Sequence, residues 1–228
     1  MPREFVDTIT QLLTRLYRSQ RIKPNASVIK VNLGSGLRVA HGWINIDGSL
    51  SALVSKLPVP APKISYRLSS VKQWNSQDEY IHILRNHTFV FHNLSYGIPL
   101  PDNSVDYLYS SHMLEHLFRE DAERLLGEAF RVLKRGGRIR ICVPDLEYAI
   151  SLYQQGEKEQ ALGFFFMTSK AGYLGRHLYM YDFELIESLL KKAGFTQVDR
   201  CAYQDGQVPD IALLDNRPEQ TLFVEASK

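Results

Sequence analysis

The stretch KVNLGSGLRVAHGWINIDGS, from Lys30 to Ser49, contains two short β-like runs separated by a glycine turn. Val28 to Leu33 predicts a buried strand that ends at Gly34-Ser35-Gly36, and Ile44 to Asp47 predicts a second strand that ends in an acid. Glycine in such a turn lets the backbone adopt positive φ and approach a ligand closely. The stretch therefore predicts a nucleotide-type binding loop.

The spacing in this stretch argues against a dinucleotide loop. That loop needs G-x-G-x-x-G and an acid about 20 residues further on, but Val39 stands at the third glycine position and Asp47 follows too soon. The short crossover leaves room for at most a turn or two of helix, which makes a poor pyrophosphate site. No Gly-Lys-Ser/Thr follows, so a P-loop is excluded. Two glycines and Asp47, which can accept hydrogen bonds from both ribose hydroxyls, suit a ribose ligand without phosphate.

Strand and helix patterns alternate along the rest of the chain, which predicts an α/β fold with a mostly parallel sheet and helices on both faces. We expect helices at about 4–19, 75–86, 125–135 and 182–193, strands at 88–93, 105–111, 138–143, 196–203 and 221–226, and irregular structure at 57–62, where three prolines lie. Lys134 and Arg135 should end the third of these helices before Gly136-Gly137.

In parallel sheets, ligands bind at the carboxyl ends of the strands, near the switch in strand order. The residues at these ends are Gly34–Gly36, Asp47, His92–Leu94, Ser111–His112 and Pro144–Asp145. Asp145 is also a candidate base, although a helix N-cap is the simpler role to expect for it.

Four segments carry a family resemblance: VNLGSG, GWINID, NLSYGIPLPDNSVDYLYSSHMLEHL and EAFRVLKRGGRIRICVPD. They resemble the class I S-adenosylmethionine-dependent methyltransferases of the type 11 group. The resemblance implies a Rossmann-like, doubly wound, seven-stranded sheet with an antiparallel last strand, and S-adenosyl-L-methionine as cofactor. The predicted cofactor-binding residues are Gly34, Ser35, Gly36, Asp47, His92, Asn93, Leu94 and Ser111.

Two positions depart from the family pattern. Asn32 stands where an acid is common before the glycines, and Asn93 stands where the family often has Asp for the adenine amino group. The amide oxygen of Asn93 can still accept that hydrogen bond, but we expect weaker binding. The short crossover is shared with a subgroup similar to predicted methyltransferases associated with surface saccharides. The resemblance thus implies methyl transfer to a small-molecule or saccharide acceptor, at oxygen.

Methyl transfer requires an aligned donor and acceptor, and a hydroxyl acceptor benefits from a general base. His112 and His177 are the predicted catalytic residues, while His116 is expected to pack structurally. No metal site is predicted. Two long segments, 48–91 and 151–181, are candidates for acceptor recognition; within the second, we expect Phe164–Phe166 to be core and Tyr173, Tyr179 and Tyr181 to be candidate contacts.

The composition limits the remaining possibilities. The length of 228 residues predicts a single domain over 1–228, with an N-terminal helix in 1–24. The net charge of +2 argues against nucleic-acid binding. No apolar stretch is long enough for membrane insertion, and the N-terminus lacks a signal-peptide pattern. Cys142 and Cys201 lack metal-type spacing, and this cysteine usage fits a cytoplasmic protein.

Two rival functions stay open at this point. The chain could keep the methyltransferase fold as a binding module without turnover, given Asn93 and the short loop. An NAD-dependent oxidoreductase is disfavoured by the missing third glycine. The oligomeric state is left open, because the first helix could cap the sheet or pair with another subunit.

Overall fold

The computed structural model describes residues 3–166 and 175–228. Within them, seven strands form one sheet in the order β3-β2-β1-β4-β5-β7-β6. Strands β1 to β5 pair in parallel, and β7 runs antiparallel to both β5 and β6. The predicted fold class is confirmed. The strands are β1 Lys30–Leu33, β2 Trp43–Asp47, β3 Thr88–Phe91, β4 Val105–Ser111, β5 Leu133–Pro144, β6 Gln197–Cys201 and β7 Thr221–Ser227.

Helices surround this sheet, and none of those described is both long and apolar enough to cross a membrane. They are α1 Arg3–Leu16, α2 Leu50–Val54, α3 Pro60–Leu68, α4 Gln77–Asn86, α5 Arg119–Val132, α6 Leu146–Gln154, α7 Lys158–Phe165, α8 Phe183–Ala193 and α9 Ile211–Leu214. Short 3₁₀ turns occupy Ser70–Gln73, Leu94–Tyr96 and Leu114–His116.

Helices α5 and α8 cover one face of the sheet and bury the main core. The apolar stripe of α5, including Leu125, Leu126 and Ala129, packs against Ile139 and Ile141 of β5. Such a stripe at helical spacing gains about 1.5–3 kcal/mol for each large side chain that it buries. The predicted end of α5 was wrong, because the helix stops at Val132 and the following residue already begins β5.

The reason for this early end is strand pairing. Leu133 pairs with Val105, and the register then shifts before Arg138 pairs with Tyr107. The intervening Lys134 donates to both carboxylate oxygens of Asp106, at 2.9 and 2.8 Å, instead of facing the helix end. A long-range pairing thus overrides the local helix signal.

The opposite face is covered differently, because residues 34–42 contain no helix. Helices α2 to α4 cover β2 and β3, with Phe89 and Phe91 in their core. The segment between β6 and β7 covers the start of β2 together with β4 and β5. Its residues Val208, Ile211 and Leu214 pack with Trp43, Tyr109 and Cys142 of these strands. The part of the sheet beside the short crossover is therefore covered from the far end of the chain.

Two further expectations need correction. The proline-rich stretch is not wholly irregular, because α3 begins at Pro60, where the first helical turn needs no N–H donor. Helix α1 ends at Leu16, before the predicted end near residue 19, and three of its apolar side chains are exposed: Ile9, Leu12 and Leu16 are 40%, 51% and 78% exposed. Leu13 packs against the α2–α4 cluster.

Candidate functional site at the strand ends

The strand register brings three predicted residues to one edge of the sheet. Leu33 pairs with Ile46 on one side and with Ser110 on the other. The next residue is therefore Gly34 after β1, Asp47 in β2 and Ser111 in β4. Strand β1 lies between β2 and β4, which makes this edge the point where the strand order reverses.

The two glycines of the turn have different surroundings, although both adopt positive φ, +67° at Gly34 and +51° at Gly36. A Cβ on Gly34 would overlap with Cγ of Met113, so a side chain of the protein already fills that space. A Cβ on Gly36 would meet nothing within 4 Å. Gly36 is therefore the glycine that leaves room for a ligand.

Asp47 shapes the turn from the end of β2. One carboxylate oxygen accepts the backbone N–H of Gly36 at 2.8 Å, and the other accepts that of Ser49 at 2.7 Å. The side chain is largely buried, at 9% exposure. Because a carboxylate offers about four lone-pair positions, Asp47 can hold the turn and still accept a ligand hydroxyl.

The short crossover is held by amide side chains and by the covering segment. Asn32 donates to the Arg38 carbonyl at 2.8 Å, which gives this departure from the family pattern a structural role. Arg38 in turn donates to the Asp215 carbonyl at 3.0 Å, and Asn216 donates to Oγ of Ser111 at 3.3 Å. Ser35 is buried beside these contacts.

Asp210 adds a further tie between this segment and the strands. Its carboxylate accepts the indole N–H of Trp43 at 2.8 Å and pairs with Lys30 at 2.6 Å. Sequence reasoning missed residues 208–216, because they lie more than 150 positions from the loop that they support.

The residues after β3 form a 3₁₀ turn. Asn93 caps this turn by accepting the Ser95 N–H at 2.9 Å, and Leu94 is buried. The His92 ring is buried, with Nε2 donating to the Gly97 carbonyl at 3.1 Å. Burial lowers the pKa of His92 below its usual value. Because its ring is tied to Gly97, His92 offers a ligand only its backbone. The Asn93 side-chain oxygen already accepts one hydrogen bond, from Ser95.

His112 follows β4 in the left-handed region, with φ +48°. A non-glycine residue there is uncommon and is often found at functional sites. Its Nε2 lies 3.1 Å from the Thr221 hydroxyl, and its Nδ1 lies 3.3 Å from a carboxylate oxygen of Glu115. Glu115 is fully buried, and its importance was not predicted from the sequence.

His177 also lies near the Glu115 carboxylate, although it comes from the chain before α8. Its ring centroid is 5.1 Å from that of His116, the histidine that was expected to pack structurally. The backbone N–H of Leu178 donates to the Glu115 carbonyl at 2.7 Å, which fixes the chain next to it. The two predicted catalytic histidines are therefore brought to the surroundings of one buried acid.

The second candidate acceptor segment is only partly described, and Tyr173 lies outside the described residues. The expectation that Phe164–Phe166 are core was wrong: Phe166 is 68% exposed and the other two are half-buried. Tyr181 is fully buried, and Asp145 is the N-cap of α6, accepting the Glu147 N–H at 2.9 Å.

A cavity of about 460 Å³ lies beyond the 3₁₀ turn. Of the predicted cofactor residues it contacts only Leu94, and its other lining residues include Arg18, Tyr96 and Arg124. Because it does not contact the glycine turn or Asp47, we assign the candidate site to the strand ends and not to this cavity.

Comparison with known proteins gives a match over part of the chain. Residues 63–141, roughly a third of the sequence, match the family model described as a methyltransferase domain. His92, Asn93, Leu94, Ser111 and His112 fall inside this segment. The glycine turn, Asp47 and His177 fall outside it.

Solved structures share the fold at low sequence identity. A possible O-methyltransferase from Nostoc punctiforme is 14% identical, with a TM-score of 0.50, over 99% of this chain and 57% of that one. The S-adenosylmethionine-dependent methyltransferase SibL is 18% identical, with a TM-score of 0.50, over 96% and 55%. A methyltransferase from Thermotoga maritima, described as a possible histamine N-methyltransferase, is 18% identical over 99% and 93%, with a TM-score of 0.48.

The sheet order and the antiparallel β7 are those of the Rossmann-like class I methyltransferase fold. The matched methyltransferase-domain segment, residues 63–141, contains β3, β4 and most of β5 of this fold.

Proposed function

We propose that the protein is an S-adenosylmethionine-dependent methyltransferase that methylates an oxygen of a small-molecule or saccharide acceptor. The observation that carries the proposal is the meeting of an open glycine, a buried carboxylate and a serine at the switch point of the sheet. Gly36, Asp47 and Ser111 provide these groups. That the protein is soluble and cytoplasmic, and that it does not bind nucleic acid, stay predictions.

The residues at this edge fit the cofactor. Gly36 leaves space for close approach, and Asp47 retains acceptor capacity for ribose hydroxyls. Ser35, Asn93, Leu94 and the backbone of His92 complete the proposed surroundings. When bound, S-adenosylmethionine supplies an electrophilic methyl group on a sulfonium. The protein's own task is to hold the cofactor and acceptor in line and exclude water.

The acceptor side is proposed from the position of two histidines. His112 directly follows β4, and the next residue, Met113, covers Gly34. His112 can withdraw a proton from an acceptor hydroxyl only when neutral. With the Nδ1 proton directed towards Glu115, the lone pair of Nε2 would take that proton, the acceptor hydroxyl replacing the Thr221 hydroxyl that lies 3.1 Å away. His177 comes from the chain segment before α8, and one of its ring nitrogens lies within 4.8 Å of a Glu115 carboxylate oxygen.

Exposed rings support a saccharide acceptor. Tyr153 of α6 and Phe166, which follows α7, are 51% and 68% exposed, and both lie within the second candidate acceptor segment. Aromatic rings offer flat apolar surfaces to sugar rings. The half-buried ring of Phe164 contacts that of Tyr148 edge-on, at 5.8 Å between centroids.

Calorimetric titration with S-adenosylhomocysteine tests the cofactor site. We expect one site per chain, and we expect Gly36→Ala to weaken binding at least about tenfold, because the new methyl group enters the ligand's space. Gly136→Ala is the matched control, since Gly136 also has positive φ and open surroundings but lies at the start of β5. This variant should bind as the wild type does.

Absence of binding, or equal weakening in both variants, would refute the cofactor assignment. Turnover is measured separately with hydroxyl-bearing sugars and small molecules. Cofactor binding without turnover on any acceptor would favour the rival function, a binding module with this fold.

A further inference from the structure

A cluster of potential metal ligands lies just beyond the end of β4. Glu115, His116 and His177 each place one ligand atom within 4.8 Å of the others. Glu115 is fully buried, and the two histidines are partly buried. The three residues come from a 3₁₀ turn and from the chain before α8, so the fold and not the local sequence brings them together.

The Glu115 carboxylate lacks the partners that a buried acid needs. Neither of its oxygens has a hydrogen-bond partner within the described ranges. The nearest basic atoms are Nδ1 of His112 at 3.3 Å and Nε2 of His116 at 3.9 Å. An ionised carboxylate in such surroundings is costly unless a cation compensates it. The group therefore points to a cation among these side chains.

Both histidines are oriented as metal ligands usually are. Nδ1 of His116 lies 2.9 Å from the Arg176 carbonyl, and Nδ1 of His177 lies 2.6 Å from the Phe164 carbonyl. Because a carbonyl oxygen only accepts, each Nδ1 carries the proton. Each neutral ring then presents the lone pair of Nε2, and a backbone carbonyl holding the other nitrogen is the usual outer contact of a metal-bound histidine.

We propose that Glu115, His116 and His177 bind one divalent transition-metal ion, such as Zn²⁺, Co²⁺ or Mn²⁺. Two imidazoles and a carboxylate suit these ions better than Mg²⁺ or Ca²⁺, which prefer oxygen ligands. Metal–ligand bonds of about 2.0–2.2 Å place ligand atoms at most about 4.4 Å apart. The observed cluster needs only a small contraction.

Three protein ligands leave a coordination position open for water or for an acceptor oxygen. This part of the inference rests on the proposed function. An acceptor hydroxyl bound to the metal would lose its proton more readily, and the neighbouring His112 would take that proton. His177 would then act as a metal ligand and not as a base. The metal site itself stands on the cluster geometry alone.

The test begins with protein stripped of metal by a chelator and dialysed. Zn²⁺ binding is measured by calorimetry, and Co²⁺ binding by its visible absorption, which reports the ligand set. We expect one ion per chain. His177→Gln and Glu115→Gln should each weaken binding at least about tenfold, since loss of even an outer contact of a metal ligand commonly costs this much.

The matched control removes two histidines elsewhere. His41 and His87 stack with ring centroids 4.7 Å apart, and the double variant His41→Gln/His87→Gln should keep full binding. Circular dichroism of the metal-free proteins checks folding, and His116→Gln replaces any variant that fails to fold. No stoichiometric binding, or a loss confined to the control, would overturn the proposal. S-Adenosylhomocysteine binding to metal-free protein reports on the proposed function independently.

Discussion

Asp47→Asn is the sharpest test of how the glycine turn is built. The substitution keeps the size of the side chain but removes its charge and one acceptor oxygen. In the wild type, the carboxylate accepts the backbone N–H groups of Gly36 and Ser49, at 2.8 and 2.7 Å. An asparagine can accept only one of them, and its NH₂ group faces the other donor.

The expected loss follows from these two bonds. A hydrogen bond to a charged group contributes about 1.5–3 kcal/mol. The Asp47 side chain is 9% exposed, whereas Gly36 is exposed and Ser49 is half-buried, so water can replace part of a lost bond at their N–H groups. We expect Asp47→Asn to lower the free energy of unfolding by about 1.5–3 kcal/mol, even with no cofactor added.

Urea unfolding followed by circular dichroism measures this difference. Asp205→Asn is the control, because Asp205 is exposed and its substitution should change the free energy by less than about 0.5 kcal/mol. A change at Asp47 no larger than that of the control would show that the carboxylate does not hold the turn. It would then be free for the ligand alone.

Two other predictions concern the same region. Gly34→Ala should destabilise the protein by about 2–5 kcal/mol, because the new Cβ would meet Met113 and the residue would keep a positive φ. In urea unfolding, a double-mutant cycle with Met113→Ala should give a coupling energy above about 1 kcal/mol. Additive effects of the two substitutions would contradict the proposed clash. Burial lowers the pKa of His92 below 6.5 in the folded protein, so as the pH falls the unfolded chain is protonated at His92 before the folded protein is. The contribution of His92 to the free energy of unfolding should therefore be complete above pH 6.5 and decrease as the pH drops below it. His92→Gln, compared with the wild type in urea unfolding at a series of pH values, should flatten this fall, and an unchanged pH slope would refute the assignment.

Local signals in the sequence were reliable where the neighbouring residues alone decide the structure. The helix predicted from about residue 75 begins where Ser76 caps α4, and Glu79 completes a capping box. Asp182 caps α8 and Gly194 ends it in the left-handed conformation. These features depend on contacts within a few residues.

Features that depend on distant partners could not be predicted in this way. The early start of β5 is set by its pairing with Val105, and the glycine turn is supported by Asp210 and its neighbours. Of the candidate site, the glycines, Asp47 and both histidines were predicted from the sequence, and their roles stay predictions. It did not identify Glu115, whose significance comes from its burial between His112 and His116.

The cover supplied by residues 208–216 has a consequence for how the protein folds. Lys30 and Asp210 are separated by 180 positions, and Arg38 and Asp215 by 177. Contacts of such long range close late, since the entropy of a large loop must be overcome first. During synthesis the glycine turn therefore emerges early but acquires its support only when the C-terminal strands are in place. We expect ligand-binding competence to be among the last properties that the growing chain gains.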